Sequence, residues 1–465
     1  MTYWYETPDE QKDAWYWMGV VISLAHTVGL YKNPENTDME PRKKKLWKRI
    51  WWSCVMRDRL IALGMRRPTR VKNGDYDTPM LTEDDFEISV LPEHITCIPT
   101  ECGLARDIGA QRQLAQMCVA KVKLCLHIGR ILSTQYSVLA QYHTDTSTHL
   151  NMMLFPKKLD QKGEIQRCDQ ELSQWITDLP ATCQYSSKLG AGNSAPLIFV
   201  HRALLNMVYF ATVSALHRPQ VLPPLPTINP DSGQNLQDIS RRKVREASCA
   251  ITCISRDLYT YNLEKYLPTA GVTVLLPAII IHLLDIKSCV DPVRQSAIDG
   301  FCHCMLVLEK LRDSYASADF ATQFLEATIR KADIDVTIRN PVEKLHHEKL
   351  LIALNMDKEN EMHMRHGPAD LTPSMSYEHS SLVTDIRIPV NKPDSLRNTI
   401  LARIPVSEIA EPLPKTGLGF ASVNSVSEEV DLDDLLTFDN GNAIGKFPLE
   451  EGNEGTHGER WLVCW

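Results

Sequence analysis

Apolar side chains recur along the first 340 residues with the period of amphipathic helices. Near the start, Ala14, Met18, Val21 and Ile22 share one face at a spacing of about 3.6 residues. Alternating strand patterns are scarce, so the sequence predicts an all-α fold. The predicted helices span residues 10–30, 40–63, 104–139, 164–179, 196–217, 239–261, 269–286, 293–314 and 320–331.

Glycine and proline mark the predicted ends of these helices. Gly29 and the Asn33-Pro34 pair are expected to stop the first helix, and Gly64 is expected to stop the second. The proline-rich stretch 219–226 is expected to separate two later helices. The sequence shows no repeat of fixed period.

The 465-residue chain divides into three parts by composition. Residues 1–340 carry the helical patterns and form the predicted globular domain. Residues 341–427 contain eight prolines and only two aromatic residues. They bury too little apolar surface to offset the entropy of ordering, so we predict a disordered linker. Residues 428–465 are predicted to be a largely disordered acidic tail.

Charge is concentrated at the C-terminal end of the chain. The net charge is −8, and residues 428–465 carry all of it, with ten Asp or Glu against two Lys or Arg. The remaining residues are neutral overall. This balance excludes a protein that is basic throughout and binds nucleic acid by bulk electrostatics.

Cysteine usage and the apolar stretches bear on the cellular compartment. The 13 cysteines are odd in number and form no paired C-x2-C array, which favours reduced thiols in the cytosol or nucleus. The opening residues MTYWYETPDE do not form a signal peptide. The longest apolar stretches, 196–216 and 271–284, contain a charged residue or are too short to cross a bilayer, so no membrane association is predicted.

Candidates for metal binding and catalysis are weak. Residues 302–304 (Cys-His-Cys) and the pair His363 and His366 are isolated, whereas a four-ligand site needs partners at defined spacing. The aspartate pairs at 84–85 and 433–434 lack a third carboxylate that would share a metal ion. The sequence therefore predicts no catalytic residues, no metal ligands and no enzymatic activity.

A more informative constellation lies within the first 79 residues. Asp58 follows two tryptophans on the predicted second helix, and it is expected to pair with Arg66 or Arg67 where the chain folds back at Gly64. We interpret the constellation as a structural ionic clasp rather than as a catalytic site. Its members are Trp15, Gly19, Trp51, Trp52, Asp58, Arg59, Gly64, Arg67, Pro68, Asp75, Asp77 and Pro79.

The basic run at residues 42–49, RKKKLWKR, has two interpretations. It is either a nuclear-import or DNA-contacting patch, or the solvated face of a helix whose other face carries Trp47 and Trp51. The second interpretation is favoured because an amphipathic helix needs a polar side. A DNA-binding surface is also expected to concentrate positive charge over a wider area.

Four motifs in register resemble a known family. Residues 15–31 resemble W-x-x-x-G-x-A-I-x-x-A-x-x-L-G-L-x, and residues 48–59 with 64–68 are similar to R-x-L-W-W-x-x-x-x-x-D-R followed by G-R-P. Residues 75–81 continue the pattern, and residues 216–219 match L-H-R-P. Together they resemble the regulatory domain of fungal-specific, zinc binuclear-cluster (Zn2Cys6) transcription factors, with the cutinase transcription factor type as the nearest subgroup.

The resemblance implies an all-helical regulatory domain. Members of the family normally carry an N-terminal module in which six cysteines bind two zinc ions and place a helix in the major groove. No such module precedes Cys54, the first cysteine here, so the chain is expected to begin inside the regulatory domain. Zinc is then a cofactor of that module alone, and DNA would be contacted through the module or through a partner protein. A homodimer or heterodimer and a small-molecule effector remain open.

The acidic tail contains a candidate activation motif at residues 428–439. In a helix, its apolar side chains fall on or near one face, and acidic residues would keep them solvated until a hydrophobic groove of a coactivator or the transcription machinery binds them. The alternative is a solvated acidic tail with incidental leucines. The motif residues are Leu432, Leu435, Leu436 and Phe438.

These observations lead to one hypothesis and one competitor. The hypothesis is a nuclear regulator of RNA polymerase II genes in a fungus, acting through the helical domain and the acidic tail. The competitor is a helical protein-interaction scaffold with no role at promoters. The tail distinguishes them, because a scaffold tolerates loss of its apolar residues and an activator does not.

Overall fold

The computed structural model describes residues 13–331, except 93, 96, 99–102, 142–150, 158–161, 193, 222–229 and 288–290. The predicted linker at 341–427, the acidic tail at 428–465 and the boundary at residue 340 lie outside the described residues. Within them, the regular structure is almost entirely helical, so the predicted all-α class is confirmed.

The helices follow the predicted pattern closely, with most ends within a few residues of the expected positions. Asp13 caps the first helix, since its carboxylate accepts a hydrogen bond from the Tyr16 amide at 2.7 Å. The helices in the described residues are α1 (Ala14–Val28), α2 (Pro41–Met65), α3 (Ile108–Gln135), α4 (Lys162–Thr177), α5 (Ala195–Val221), α6 (Pro230–Thr260), α7 (Ala270–Ile286), α8 (Asp291–Arg312) and α9 (Ala316–Lys331).

Gly64 does not end α2, contrary to the prediction. The helix continues to Met65 and stops at Arg66, which adopts a left-handed conformation with φ of 50°. Gly64 instead allows a close helix contact, because a Cβ there would lie 2.4 Å from the hydroxyl oxygen of Thr273 in α7. The glycine therefore serves packing between α2 and α7 rather than chain termination.

The predicted helix at 104–139 is too long at its C-terminal end. It ends at Gln135, and residues Tyr136–Gln141 form strand β1, which pairs antiparallel with β2 (Asn151–Pro156). The amide of Leu154 in β2 donates to the carbonyl of Arg66 at 2.7 Å, which ties the hairpin to the end of α2. This long-range pairing overrides the helical period, which is a local signal.

Helix α5 forms the centre of the packing and is buried on nearly all sides. It contacts α3, α4, α6 and α7, while α2 contacts α1, α3 and α7. By length and composition α5 is apolar enough to cross a membrane, but 72% of its most apolar window is buried within the protein. A helix that is apolar all round is expected at the core of a large domain.

Pro219 lies inside the last turn of α5, although the sequence predicts that this helix ends at residue 217. A proline has no amide hydrogen, so it leaves the carbonyl four residues earlier without its helical partner. That carbonyl belongs to Ala215, and it accepts a hydrogen bond from the Tyr136 hydroxyl at 2.7 Å. The tertiary contact replaces the lost helical bond, and the helix continues to Val221.

A buried histidine joins α6, α7 and α8. His282 is 4% exposed, and its Nε2 lies 3.1 Å from the Ser248 hydroxyl and 2.7 Å from the Thr252 hydroxyl. Both hydroxyls donate to backbone carbonyls, so Nε2 of the neutral ring is the donor to them. Gly300 leaves room for the ring, because a Cβ there would lie 2.5 Å from it.

We expect His282 to make the domain sensitive to acid. Burial lowers its pKa from the ordinary value near 6.5 to about 4; the charge of His303 acts in the same direction, and Asp285 opposes it. The folded state binds the proton less readily than the unfolded state. The stability is therefore at its full value above about pH 6.5, falls progressively as the pH drops from 6.5 to about 4, and changes little below that. The loss at pH 5 is about 2 kcal/mol.

Urea denaturation at pH 7.5 and pH 5 tests this expectation. In His282→Gln, the difference in unfolding free energy between the two pH values should shrink by about 2 kcal/mol. His94→Gln, at an exposed position, should keep the pH dependence of the unmodified protein. An unchanged pH dependence in His282→Gln would contradict the role assigned to this ring.

Candidate functional site

The motif residues of α1, α2 and the following loop meet in one cluster. The indole nitrogen of Trp15 donates to the Pro68 carbonyl at 2.9 Å. The Arg70 guanidinium lies over the Trp15 ring at 3.5 Å, and its Nε donates to the Trp15 carbonyl at 3.1 Å. Gly19 allows this approach, because a Cβ there would lie 2.8 Å from the guanidinium of Arg70. We call the group formed by Trp15, Asp58, Arg59, Pro68 and Arg70 the clasp.

Asp58 anchors the loop that follows α2. The residue is 1% exposed, and its carboxylate accepts hydrogen bonds from the backbone amides of Arg70 at 3.0 Å and Val71 at 3.2 Å. It also accepts a 2.7 Å bond from Arg59. Burial raises the pKa of the Asp58 carboxyl, whereas the Arg70 amide and the Arg59 charge oppose that rise. The carboxylate thus fixes a backbone turn and also counters a buried cation.

The expected partners of Asp58 differ from the observed ones. Arg67 pairs with Asp13 at 3.5 Å, and the side chain of Arg66 has no carboxylate partner among the described residues. The turn after α2 presents the amides of residues 70 and 71 to Asp58 instead of the side chains of residues 66 and 67. Asp58 does form a buried ion pair, but its cationic partner is the neighbouring Arg59 rather than Arg66 or Arg67.

Arg59 connects α2 to α3. Its side chain is 1% exposed and lies against Gly129 of α3, where a Cβ would come within 2.5 Å of the guanidinium nitrogen Nε. Among the described residues that Nε has no hydrogen-bond partner, which is unfavourable in a buried position. The arginine therefore depends on Asp58 for compensation of its charge.

The two tryptophans of α2 also contact the loop that follows α2. Trp52 donates from its indole nitrogen to the Pro79 carbonyl at 2.7 Å. Trp51 is fully buried, and its ring packs against Tyr76 at a centroid distance of 5.5 Å. The carboxylate of Asp77 accepts from the Asn33 amide at 2.7 Å and joins the loop to the end of α1.

Asp75 has a more local role than the other aspartates of the motifs. Its carboxylate accepts a hydrogen bond from the Lys72 amide at 3.0 Å, three residues earlier in an exposed turn. The motif residues thus include both buried anchors and a surface turn.

Several side chains of the basic run at 42–49 form ion pairs or hydrogen bonds with residues 85–87. Lys48 and Asp85 form a buried ion pair at 2.8 Å, and Arg49 donates to the Asp85 carbonyl at 2.8 Å. Arg42 pairs with Glu87 at 2.8 Å on the surface. The interpretation as a solvated helix face therefore fails at Lys48, which is buried.

The L-H-R-P motif lies at another contact, between α4, α5 and α6. His217 is 1% exposed, and its ring nitrogens lie 3.1 Å from an Asp169 oxygen and 3.2 Å from the Ser240 hydroxyl. The hydrogen bond from His217 lowers the pKa of Asp169, and Lys243 contributes in the same direction at 3.2 Å. This motif joins three helices rather than extending the clasp.

In the described part of the chain, no three or more His, Cys, Asp or Glu residues are grouped so that they would bind a metal ion. The motif side chains contact one another or the backbone, and Asp58 and Arg59 form a buried ion pair. The contacts hold α1, α2 and the loop that follows α2 against α3. The predicted activation motif at 432–438 lies outside the described residues.

Comparison with known proteins agrees with the motifs. Residues 1–177 match the fungal specific transcription factor domain, and this match ends with α4. That part of the chain belongs to this domain family, so the resemblance inferred from the motifs is confirmed.

The chain is also similar in sequence to individual fungal transcription factors. It is 47% identical over 449 residues to cutinase transcription factor 1 beta of Fusarium vanettenii, covering 93% of this chain and 50% of that protein. It is 34% identical to a transcription factor of Fusarium pseudograminearum, covering 74% and 39% of the two chains, respectively. It is 28% identical to transcription factor cpaR of Aspergillus oryzae, covering 69% and 54%. The chain thus spans about half the length of these relatives or less. No solved structure matches it.

Proposed function

We propose that this protein regulates RNA polymerase II transcription in the nucleus of a fungus. The observation that carries the proposal is the 47% identity to a cutinase transcription factor over 93% of the chain. The domain match over residues 1–177 supports the same class. Relatives that are transcription factors rather than enzymes also fit a protein with no catalytic role.

The helical domain is the structural part of this regulator. Two of its clasp residues, Asp58 and Arg59, are buried and form an ion pair at 2.7 Å. Such a group specifies a fixed arrangement of helices. A fixed arrangement suits a domain that presents surfaces to partners, which is how this domain would relay a signal to the rest of a transcription factor.

The acidic tail is the proposed activating part. Residues 428–439 combine six acidic residues with the four apolar residues of the motif. Such segments fold on binding, and their apolar face enters a hydrophobic groove on a coactivator or on the transcription machinery. The helical domain and the tail then have separate tasks within one chain.

In the proposed regulator, a module other than the helical domain and the acidic tail contacts DNA. Their first cysteine is Cys54 in α2, which is 9% exposed within the core of the described domain. We propose that a zinc cluster outside this sequence, or a partner protein, contacts the promoter. The competing function, a scaffold without a promoter role, differs in its prediction for the tail.

A tethered reporter assay tests the tail. The full chain is fused to a foreign DNA-binding module, and reporter output is compared with that of the variant carrying Leu435→Ala, Leu436→Ala and Phe438→Ala. We expect a loss of about tenfold or more, because anchor side chains in a groove carry most of the binding energy.

Three apolar residues of the same tail provide the matched control. Replacing Phe447, Leu449 and Leu462 with alanine removes similar apolar surface outside the motif and should leave output unchanged at equal protein level. Equal output from the motif variant and the unmodified fusion would instead support the scaffold.

A further inference from the structure

The outer side of α1 carries a ridge of exposed apolar side chains. Tyr16, Val20, Leu24 and Val28 follow one another at a spacing of four residues, and all four are exposed. Leu24 is 60% exposed and Val28 is 59% exposed. Because residues four apart are neighbours on the surface of a helix, these side chains form one continuous row.

Two small residues form a groove beside this ridge. Ser23 and Thr27 are exposed and are also four residues apart. The Ser23 hydroxyl donates to the Gly19 carbonyl at 2.9 Å, and the Thr27 hydroxyl donates to the Ser23 carbonyl at 2.9 Å. Both hydroxyls therefore have partners inside α1, and a partner molecule can cover them without leaving an unpaired donor. We call the ridge and the groove together the α1 face.

The start of α2 extends the apolar surface of α1. The indole nitrogen of Trp47 donates to the Gly29 carbonyl at 3.3 Å, which places the first turns of α2 beside the C-terminal end of α1. Leu46 and Ile50 are exposed in those turns. Of the ten large apolar side chains that are exposed in the described residues, six lie on these two helices. Such a concentration of exposed apolar side chains marks an interaction surface.

The charge and shape of the α1 face indicate which molecule covers it. Helix α1 contains no Asp, Glu, Lys or Arg, so two copies of it bring no like charges together and bury no unpaired ones. The core of a homodimer interface is typically apolar and poor in charge. A ridge and a groove with the same four-residue spacing also fit their own copies across a twofold axis. An acidic segment such as residues 428–439 would find no basic side chain on α1.

We propose that two copies of this chain associate through their α1 faces, antiparallel and related by a twofold axis near Val20 and Leu24. This arrangement opposes the two helix dipoles. It also places the basic runs of the two copies at opposite ends of α1, whose 15 residues span about 22 Å. That separation exceeds the screening length of about 8 Å at physiological salt, so the runs repel each other little.

A contact of this size is expected to give a reversible dimer rather than a permanent one. Four turns of α1 and two side chains of α2 make a small interface, for which we expect a Kd of roughly 1–100 µM. The dimer does not depend on the proposed transcriptional role, because it rests on the surface of the helical domain alone.

Sedimentation velocity of the purified full chain, from about 1 to 100 µM, tests the proposal. We expect a reversible equilibrium between monomer and dimer. Leu24→Glu should weaken dimerisation at least about tenfold, because the twofold contact buries the new charge in both copies. Ser23→Phe should weaken it severalfold, because the large ring fills the groove although it adds apolar surface.

Ile108→Glu provides the matched control. Ile108 is an exposed apolar residue at the first position of α3, where a glutamate suits the helix N-terminus. This variant should dimerise with unchanged affinity, and circular dichroism should show the same melting temperature for all three variants.

Three results would overturn the proposal. They are a full chain that stays monomeric at about 100 µM, an unchanged dimer affinity in Leu24→Glu, and an unchanged or stronger association in Ser23→Phe. The first result would assign the α1 face to another occupant, such as residues 1–12 or the acidic tail. The third would show general apolar adhesion in place of a fitted contact between two copies.

Discussion

Replacing Asp58 with alanine is expected to reduce the unfolding free energy of the helical domain by about 3–5 kcal/mol. The change leaves Arg59 as an uncompensated cation at 1% exposure. It also removes the acceptor of the Arg70 and Val71 amides, and buried donors without partners are costly. Because whole domains are stable by only about 5–15 kcal/mol, this loss removes a large share of the domain's stability.

Urea denaturation of the full chain, followed by circular dichroism, measures the effect. Asp75→Ala is the matched control, because that aspartate belongs to the same motifs but accepts one hydrogen bond in an exposed turn. It should lose less than about 1 kcal/mol. Equal losses in the two variants would show that burial of Asp58 is not what makes it important.

The second large effect is expected from Lys48→Met. The substitution keeps an unbranched side chain but leaves Asp85, 4% exposed, without its counter-charge. Asp85 cannot move into solvent freely, since its carboxylate also accepts from the Thr82 amide at 2.8 Å. Removing one partner of a buried ion pair costs about 3–5 kcal/mol.

Lys43→Met provides the comparison for Lys48 on the same helix. Lys43 is exposed, and its replacement should change the unfolding free energy by less than about 0.5 kcal/mol. The same denaturation experiment measures both variants. If Lys48→Met has the same unfolding free energy as Lys43→Met, the Lys48–Asp85 ion pair does not stabilise the fold.

The helices were predictable because their signal is local. An amphipathic period gave the position of each helix to within a few residues, apart from α6, which starts nine residues earlier than expected. The errors at Gly64, at residues 136–139 and at Pro219 share one cause. In each case a contact distant in sequence decides the outcome, and a rule about glycine, proline or periodicity does not include that contact.

The sequence predicts most residues of the clasp but not which of them contact each other. The motifs select the residues, yet nothing in them indicates that Asp58 binds backbone amides or that Arg70 covers Trp15. Lys48 offered a usable signal, because it lies four residues before Trp52 and therefore on the same side of α2. That spacing predicts an inward-facing lysine.

The contact between Gly64 and Thr273 has a consequence for synthesis of the protein. The two residues are 209 positions apart in the sequence. Ribosomes add about 5–20 residues per second, so α2 emerges roughly 10–40 s before the part of α7 against which it packs. During that interval the nascent chain exposes an unmatched helix surface to chaperones and to other chains. A fragment ending at residue 177, where the family match ends, would keep that surface exposed permanently.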